Sequence, residues 1–230
     1  GGYASFPALV AARILRIPIV IHESDSVPGK TNLWAAKHAE KIAVSYPEAT
    51  RYFSKYKNKI ALTGNPIRKT VSMALSSIAF EYLDLDKEVP VIFIMGGSLG
   101  SRKINEAVLE ALPRLIKKYQ IIHQTGKRNL KEVEETAEVI LGNDENKNRY
   151  RTYDYMDDLQ LRSAAGATSL IISRAGSSLF EIAPWGVPSI IIPIPVSNGD
   201  HQAKNAYAYG RGGGAVVIEE GNLTGNILYA

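Results

Sequence analysis

Short apolar runs rich in Ile and Val alternate along the chain with stretches whose apolar residues recur every three or four positions. The runs predict strands at 18–22, 41–46, 59–63, 89–95, 120–123, 149–153, 169–173, 187–192 and 214–218. They are short and mostly continuous rather than alternating, which is the pattern of parallel strands covered on both faces. Between them lie helical patterns. The clearest carries Ile104, Ala107, Val108, Ala111, Leu112, Leu115 and Ile116 on one face. Pro113 near its end is expected to kink it. Strand and helix in alternation predict an α/β fold with parallel sheets and right-handed crossovers.

A change of domain is expected across 64–88. Gly64-Asn65-Pro66-Ile67-Arg68 forms a turn cluster after a strand, and a fresh strand begins after the polar stretch 84–88. Only three strands precede this point, too few for a complete sheet of this class. The division expected is 1–68, an incomplete N-terminal domain, and 69–230, a second α/β domain. Residues 132–138 read as an exposed acidic helix face, and 210–214 as a glycine-rich connector.

Composition narrows the picture. The chain has 230 residues and no cysteine, which excludes disulfides, thiol catalysis and cysteine-ligated zinc and fits a cytosolic protein. No apolar run approaches the length of a membrane span. The net charge of +4 is uneven. Residues 1–70 hold 11 Lys/Arg against 4 Asp/Glu, and the remainder 16 against 19. A basic first part suits an anionic partner, whether a phospholipid surface, a diphosphate or nucleic acid, and equally a plain solvated face. Nucleic acid is disfavoured, because no binding motif or basic-aromatic stripe is present.

The densest chemistry lies in 173–205. An apolar strand runs into Arg174-Ala175-Gly176, hydroxyl residues Ser177 and Ser178 follow, and a lone acid, Glu181, comes next on a helix. Small residues admit a ligand to the backbone, a helix N-terminus favours an anion, and an acid there can accept hydrogen bonds from a ribose diol. An ordinary exposed glutamate explains Glu181 as well. Arg174 can bind phosphate or pair a nearby acid. Further on, Gln202 and Asn205 share a helix face, where amides can read sugar hydroxyls.

A second glycine cluster, Gly96-Gly97-Ser98-Leu99-Gly100-Ser101, joins a strand to a helix. It suits a diphosphate at backbone N–H groups, or simply a tight turn; it is neither G-x-G-x-x-G nor a Walker loop. In the first part, His22, Glu23 and Asp25 leave the end of a strand, where ligands of open α/β sheets bind, and His22 and Glu23 are titratable. A hydrogen-bonded structural histidine is the alternative for His22. The four histidines lack metal spacing, so no structural metal is expected. Ser177 and Ser178 are not in G-x-S-x-G, which disfavours a hydrolase triad.

Several of these segments, in order, resemble the MurG family of peptidoglycan N-acetylglucosaminyltransferases. They are Gly1-Gly2-Tyr3-Ala4-Ser5, His22-Glu23 with Pro28-Gly29 and Asn32, and Gly64-Asn65-Pro66-Ile67-Arg68. The 96–101 cluster, His123-Gln124-Thr125-Gly126-Lys127 and Tyr155-Met156-Asp157-Asp158 follow. Ser173-Arg174-Ala175-Gly176, Glu181 and Asp200-His201-Gln202-Ala203-Lys204-Asn205 complete the set. The resemblance implies the GT-B architecture, two Rossmann-like domains. It implies inverting transfer of N-acetylglucosamine from UDP-N-acetylglucosamine to an undecaprenyl-diphosphate-muramoyl-pentapeptide, with no tightly bound metal or other cofactor. Location is implied at the cytoplasmic face of the plasma membrane, as a peripheral protein on an anionic lipid surface.

Carried onto this chain, the resemblance puts Gly97, Ser98 and Gly100 at the donor diphosphate, with Arg68 and Arg174 near it. It puts the Met156 backbone at the uracil. Gly176, Ser177, Ser178 and Leu179 line the donor, Glu181 holds the ribose, and Gln202 and Asn205 read the sugar. Tyr3, His22 and Asp25 face the acceptor, with His22, Glu23 or Asp25 as acid–base candidates. Asp25 departs from the family's usual Asn, and the stretch from Arg174 to Glu181 is one residue shorter. The family's first glycine-rich loop, with its histidine, and its closing helices are not in the sequence, so the chain reads as a fragment. Other readings of the same residues are another GT-B sugar transferase, a UDP-N-acetylglucosamine 2-epimerase, or a donor-binding module without activity of its own.

Overall fold

The computed structural model describes residues 2–97, 99–195 and 200–230. Two compact units are present. One comprises Gly1–Pro66 with Val196–Ala208, the other Ile67–Pro195 with Tyr209–Ala230.

The first unit holds α1 (Phe6–Ile14), β1 (Val20–Glu23), α2 (Lys30–Ala36), β2 (Lys41–Val44) and β3 (Ile60–Leu62). The strands form a parallel sheet in the order β1-β2-β3, with Ile21 opposite Ile42 and Ile42 opposite Ile60. Its core gathers Ile21, Ala35, Ala36, Ile42, Val44, Ala49 and Phe53. Burial alternates along β1 and β2, so that Ile21 is buried and Val20 exposed. This departs from the two-sided burial expected of these strands. Tyr3, Ile14, Leu15, Ile17 and Val20 are all exposed. The first two turns of α8 (His201–Gly210) also belong to this unit.

The second unit runs α3 (Ser76–Tyr82), β4 (Val91–Met95), α4 (Arg102–Leu115), β5 (Gln120–Gln124), α5 (Leu130–Leu141), β6 (Tyr150–Tyr153) and α6 (Asp158–Ala167). It continues with β7 (Thr168–Ser173), α7 (Ser178–Ile182), β8 (Ser189–Ile191), β9 (Ala215–Val217) and α9 (Gly225–Tyr229). Six parallel strands take the order β6-β5-β4-β7-β8-β9. Here β4 and β5 are buried along their whole length, as continuous apolar runs require. One face packs on α4, α5 and α9 through Ile94, Val108, Leu112, Ile121, Val133 and Leu228. The other packs on α3 and α6 through Ala79, Phe93, Leu161, Ala164 and Ile171. All nine expected strands form, with no end displaced by more than two residues. Pro113 is accommodated in the last turn of α4, where Ile116 N still donates to Leu112 O at 3.1 Å.

Candidate functional site

In the second unit, successive strands are added outward from β4 to β6, after which the chain crosses back and builds from β7 to β9. The reversal falls between β4 and β7. In sheets of this order the loops leaving those two strands diverge and leave a crevice where ligands bind. Met95 and Ser173 end the two strands side by side. The loops that follow are the two glycine clusters singled out in the sequence.

Each glycine of the 96–100 loop has its own reason. A Cβ on Gly96 would meet Ser101 N at 2.5 Å. Gly100, at φ 75°, lies so close to the Thr125 carbonyl that a Cβ would come within 2.0 Å of its oxygen. Gly97, at φ 90°, faces open space instead. Gly100 N closes the turn onto Gly97 O at 3.0 Å. Ser101 then caps α4, its Oγ accepting from Ile104 N at 3.4 Å. The fourteen-residue α4 therefore points its positive end at this loop. Ser98, expected at the diphosphate, lies outside the described residues.

In the second loop, Gly176 also faces open space, Ser177 is exposed and Ser178 partly so. Leu179 is buried with its side chain inside the unit, which leaves its backbone as the part able to face a ligand. Helix α7 has only five residues, so its dipole adds little beside that of α4. Arg174 is engaged by the protein itself. Its side chain is buried, donates to Ile192 O at 3.2 Å and Pro193 O at 3.4 Å, and meets Ser101 Oγ and the Glu220 carboxylate. Of the two roles open to it, pairing an acid is the one realised. It braces the start of α4 against the end of β8.

Arg68 is an exposed cation of this unit. Its Nε donates to Glu181 Oε1 at 3.0 Å, a second nitrogen reaches Oε2 at 3.4 Å, and a third meets Asp158 Oδ1 at 2.6 Å. Thr70 Oγ1 adds a bond to Asp158 Oδ2 at 2.8 Å. The hydrogen bond to Glu181 holds the guanidinium pKa above its usual value. A carboxylate has about four lone-pair sites, so Glu181 can keep Arg68 and still accept from a diol. Met156 is buried with its side chain in the core, which leaves its backbone as the part able to touch a ligand. Asp157 follows as the N-cap of α6, in a reciprocal box with Gln160.

In the first unit, the end of β1 is organised by Glu23. This buried carboxylate accepts from Asp25 N and Gly29 N at 3.1 Å and from Asn32 Nδ2 at 2.9 Å. Three donors give this acid–base candidate a structural task, the closure of the 24–29 loop. Asn205 is likewise consumed. Its Oδ1 accepts from Ser26 N at 2.8 Å and its Nδ2 donates to Asp25 Oδ1 at 2.9 Å, in a buried setting. Its amide therefore ties α8 to the β1 loop, whereas Gln202, one turn earlier, is half-exposed. His22 Nε2 lies 3.1 Å from Ser45 Oγ and 3.2 Å from Gly64 O. A carbonyl only accepts, so Nε2 carries the proton and Nδ1 is the basic nitrogen. Tyr3 is almost wholly exposed.

Sequence reasoning missed the Arg174–Glu220 pair and the Glu23 loop closure. The second had a signal: a strand-end acid before a turn rich in free N–H groups with Asn32 shortly after. Away from this site, a polar cavity of about 470 Å³ opens at the amino ends of β5 and β6, lined by Asp84, Asp86, Gln120, Glu145, Arg149 and Arg151. Two of its lining residues, Arg151 and Asp84, pair at 2.9 Å.

With this geometry in place, comparison with known proteins is specific. Residues 91–230 match the glycosyltransferase family 28 C-terminal domain, and residues 1–44 match the N-terminal domain of the same family. A Bacillus thuringiensis (strain Al Hakam) protein is 39% identical over 231 residues, 99% of this chain and 62% of its own length. It is named UDP-N-acetylglucosamine--N-acetylmuramyl-(pentapeptide) pyrophosphoryl-undecaprenol N-acetylglucosamine transferase 3. A Clostridium novyi protein of the same transferase name is 38% identical over 99% of this chain and 61% of its own length. The chain thus spans about three fifths of these relatives. The crystal structure of Acinetobacter baumannii MurG superposes with a TM-score of 0.73 at 27% identity, over all of this chain and 61% of that one. The fold is the GT-B type of α/β glycosyltransferase, and the chain belongs to glycosyltransferase family 28.

Proposed function

We propose that the chain is the greater part of an inverting transferase that moves N-acetylglucosamine from its UDP donor to a lipid-linked muramoyl-pentapeptide diphosphate. The reading is supported above all by one observation. Two glycine-rich loops flank the strand-order reversal, and Arg68 and Glu181 stand together in the same unit. The names of the relatives supply the sugar and the acceptor.

In this reading the diphosphate lies on the open side of Gly97, against backbone N–H groups and the positive end of α4. Gly176, Ser177 and Ser178 line the donor, the Met156 backbone meets the uracil, and Glu181 accepts from the ribose hydroxyls. The acceptor hydroxyl attacks C1 of the sugar as the C1–oxygen bond to the diphosphate breaks, so the anomeric centre inverts. Negative charge grows on the departing UDP, where fixed N–H donors and Arg68 are worth most. The hydroxyl proton goes to a base; His22, through Nδ1, and Asp25 are the groups suited to take it. Arg174, Glu23 and Asn205 hold the scaffold, and Gln202, half-exposed on the helix that carries Asn205, reads the sugar. We assign the first unit, with Tyr3, to the acceptor side. Its exposed Ile14, Leu15, Ile17 and Val20 beside Arg13 and Arg16 suit an anionic membrane surface. Among the described residues no helix is long and apolar enough to cross a membrane.

The test is transfer of labelled N-acetylglucosamine from UDP to a lipid-linked muramoyl-peptide by the protein in its full reading frame. Labelled disaccharide-lipid is the expected product. Consumption of the donor without any lipid acceptor, or no transfer to it, contradicts the reading.

A further inference from the structure

A chain of buried polar groups runs through the apolar core beneath the 96–100 loop. His123, on β5, is fully buried. Its Nε2 lies 3.0 Å from Asn105 Oδ1, and its Nδ1 lies 2.8 Å from the Tyr150 hydroxyl. Asn105, on α4, donates from Nδ2 to Thr125 O at 3.2 Å. That bond fixes which way the amide faces, because a carbonyl cannot donate. The oxygen of Asn105 therefore meets His123, whose Nε2 must carry the proton, and Nδ1 must accept from Tyr150. The whole chain has one direction, from Tyr150 through His123 and Asn105 to the Thr125 carbonyl.

That carbonyl is where the loop rests. Asn129 Nδ2 also donates to it, at 2.9 Å, so two amides hold its orientation. It presses on Gly100 closely enough to exclude any side chain there. The next residue, Gly126, at φ 88°, would place a Cβ 2.5 Å from Leu99 O and 2.6 Å from Gly100 N. Two backbone turns are thus interlocked without side chains between them. A rotation of the 125–126 peptide moves the 96–100 loop with it. Close packing of this kind transmits displacement instead of absorbing it.

We propose that His123 is a positioning residue: acting through Asn105 and the Thr125 carbonyl, it sets the shape of the 96–100 loop and so the grip of that loop on the donor diphosphate. The second half rests on the donor-site reading above; the first does not. His123 touches no substrate. Its N–H fixes the Asn105 amide, and the amide fixes the carbonyl. Only a side chain that donates from the Nε2 position fulfils this role.

The experiment compares His123→Leu, His123→Gln and Leu141→Ala in the same chain. Leu141 belongs to the same core but to no part of the polar chain. UDP affinity is read by calorimetry, and amide hydrogen exchange is read at Gly97, Gly100 and Gly126. Loss of one hydrogen bond predicts UDP binding about three- to tenfold weaker in His123→Leu. Exchange at Gly100 and Gly126 is faster in that variant. His123→Gln, which restores a donor, returns UDP affinity to within about twofold of the parent, and Leu141→Ala keeps it there despite a lower melting temperature. Equal affinity in His123→Leu and the parent overturns the proposal. So does an equal loss in His123→Gln or in Leu141→Ala, which would make the effect one of general stability. Should His123→Leu not fold, Asn105→Ala is read in the same way. If the parent chain itself binds no UDP, the donor-site reading fails, and the exchange of Gly100 and Gly126 alone decides whether the relay shapes the loop.

Discussion

Replacing Glu181 by alanine isolates the ribose contact from the rest of the donor site. The carboxylate is mostly buried on its helix, 21% exposed, while its partner Arg68 is 44% exposed. A pair this open to solvent contributes little to folding, about 0–1 kcal/mol, and Arg68 keeps Asp158 in the variant. The loss of stability should therefore be small. The loss of binding should not. A carboxylate accepting from sugar hydroxyls makes charge-assisted bonds worth about 1.5–3 kcal/mol, so UDP affinity should fall by roughly 10- to 150-fold. Calorimetric titration of parent and variant with UDP measures this directly, and thermal melting checks that the fold is intact. Titration with inorganic diphosphate gives the internal control, since it lacks the ribose and should bind both proteins alike. An intact variant that binds UDP as tightly as the parent refutes the assignment of Glu181 to the ribose.

Three further outcomes follow from the geometry. Gly100→Ala combines a side chain at φ 75° with a Cβ 2.0 Å from a carbonyl oxygen, and should cost about 2–4 kcal/mol in denaturant unfolding. Arg174→Ala strands the Glu220 carboxylate and removes the brace on Ser101, and should cost about 3–5 kcal/mol. If it instead weakens UDP binding with stability unchanged, Arg174 belongs to the ligand and not to the scaffold. Burial lowers the His123 pKa to about 3 from 6.5. Its contribution is therefore complete above pH 6.5 and is lost as pH falls, because only the unfolded chain takes up the proton. Unfolding at pH 6.5 and 4.5 should differ by about 2 kcal/mol more in the parent than in His123→Gln.

The strands were legible because buried parallel strands need unbroken Ile and Val, as in 91–95 and 120–124. The glycine loop was legible for a similar reason, since nothing else permits that turn. The strand order was not, because adjacency of β4 and β7 is a tertiary fact. Order is what turned two separate glycine clusters into one crevice. Arg174 illustrates the limit. An arginine at a strand end reads equally as a phosphate ligand or as half of an ion pair until Glu220, far along the chain, is found against it. Asn205 reads as a sugar contact until its amide is found on the backbone of Ser26. Asn105 and His123 left a fainter trace, as polar residues set among apolar ones on a buried helix face and a buried strand. Neither alone specified a partner, because each hydrogen bond needed the other element in place.

The measurement that bears most directly on the central claim is a backbone amide titration of the chain with UDP, followed residue by residue. The account predicts saturable shifts at Gly96, Gly97, Gly100, Gly176, Ser177 and Glu181, at the carboxyl ends of β4 and β7. Shifts confined to Asp84, Asp86 and Arg151, at the opposite end of the sheet, or no saturable shift at all, would contradict it.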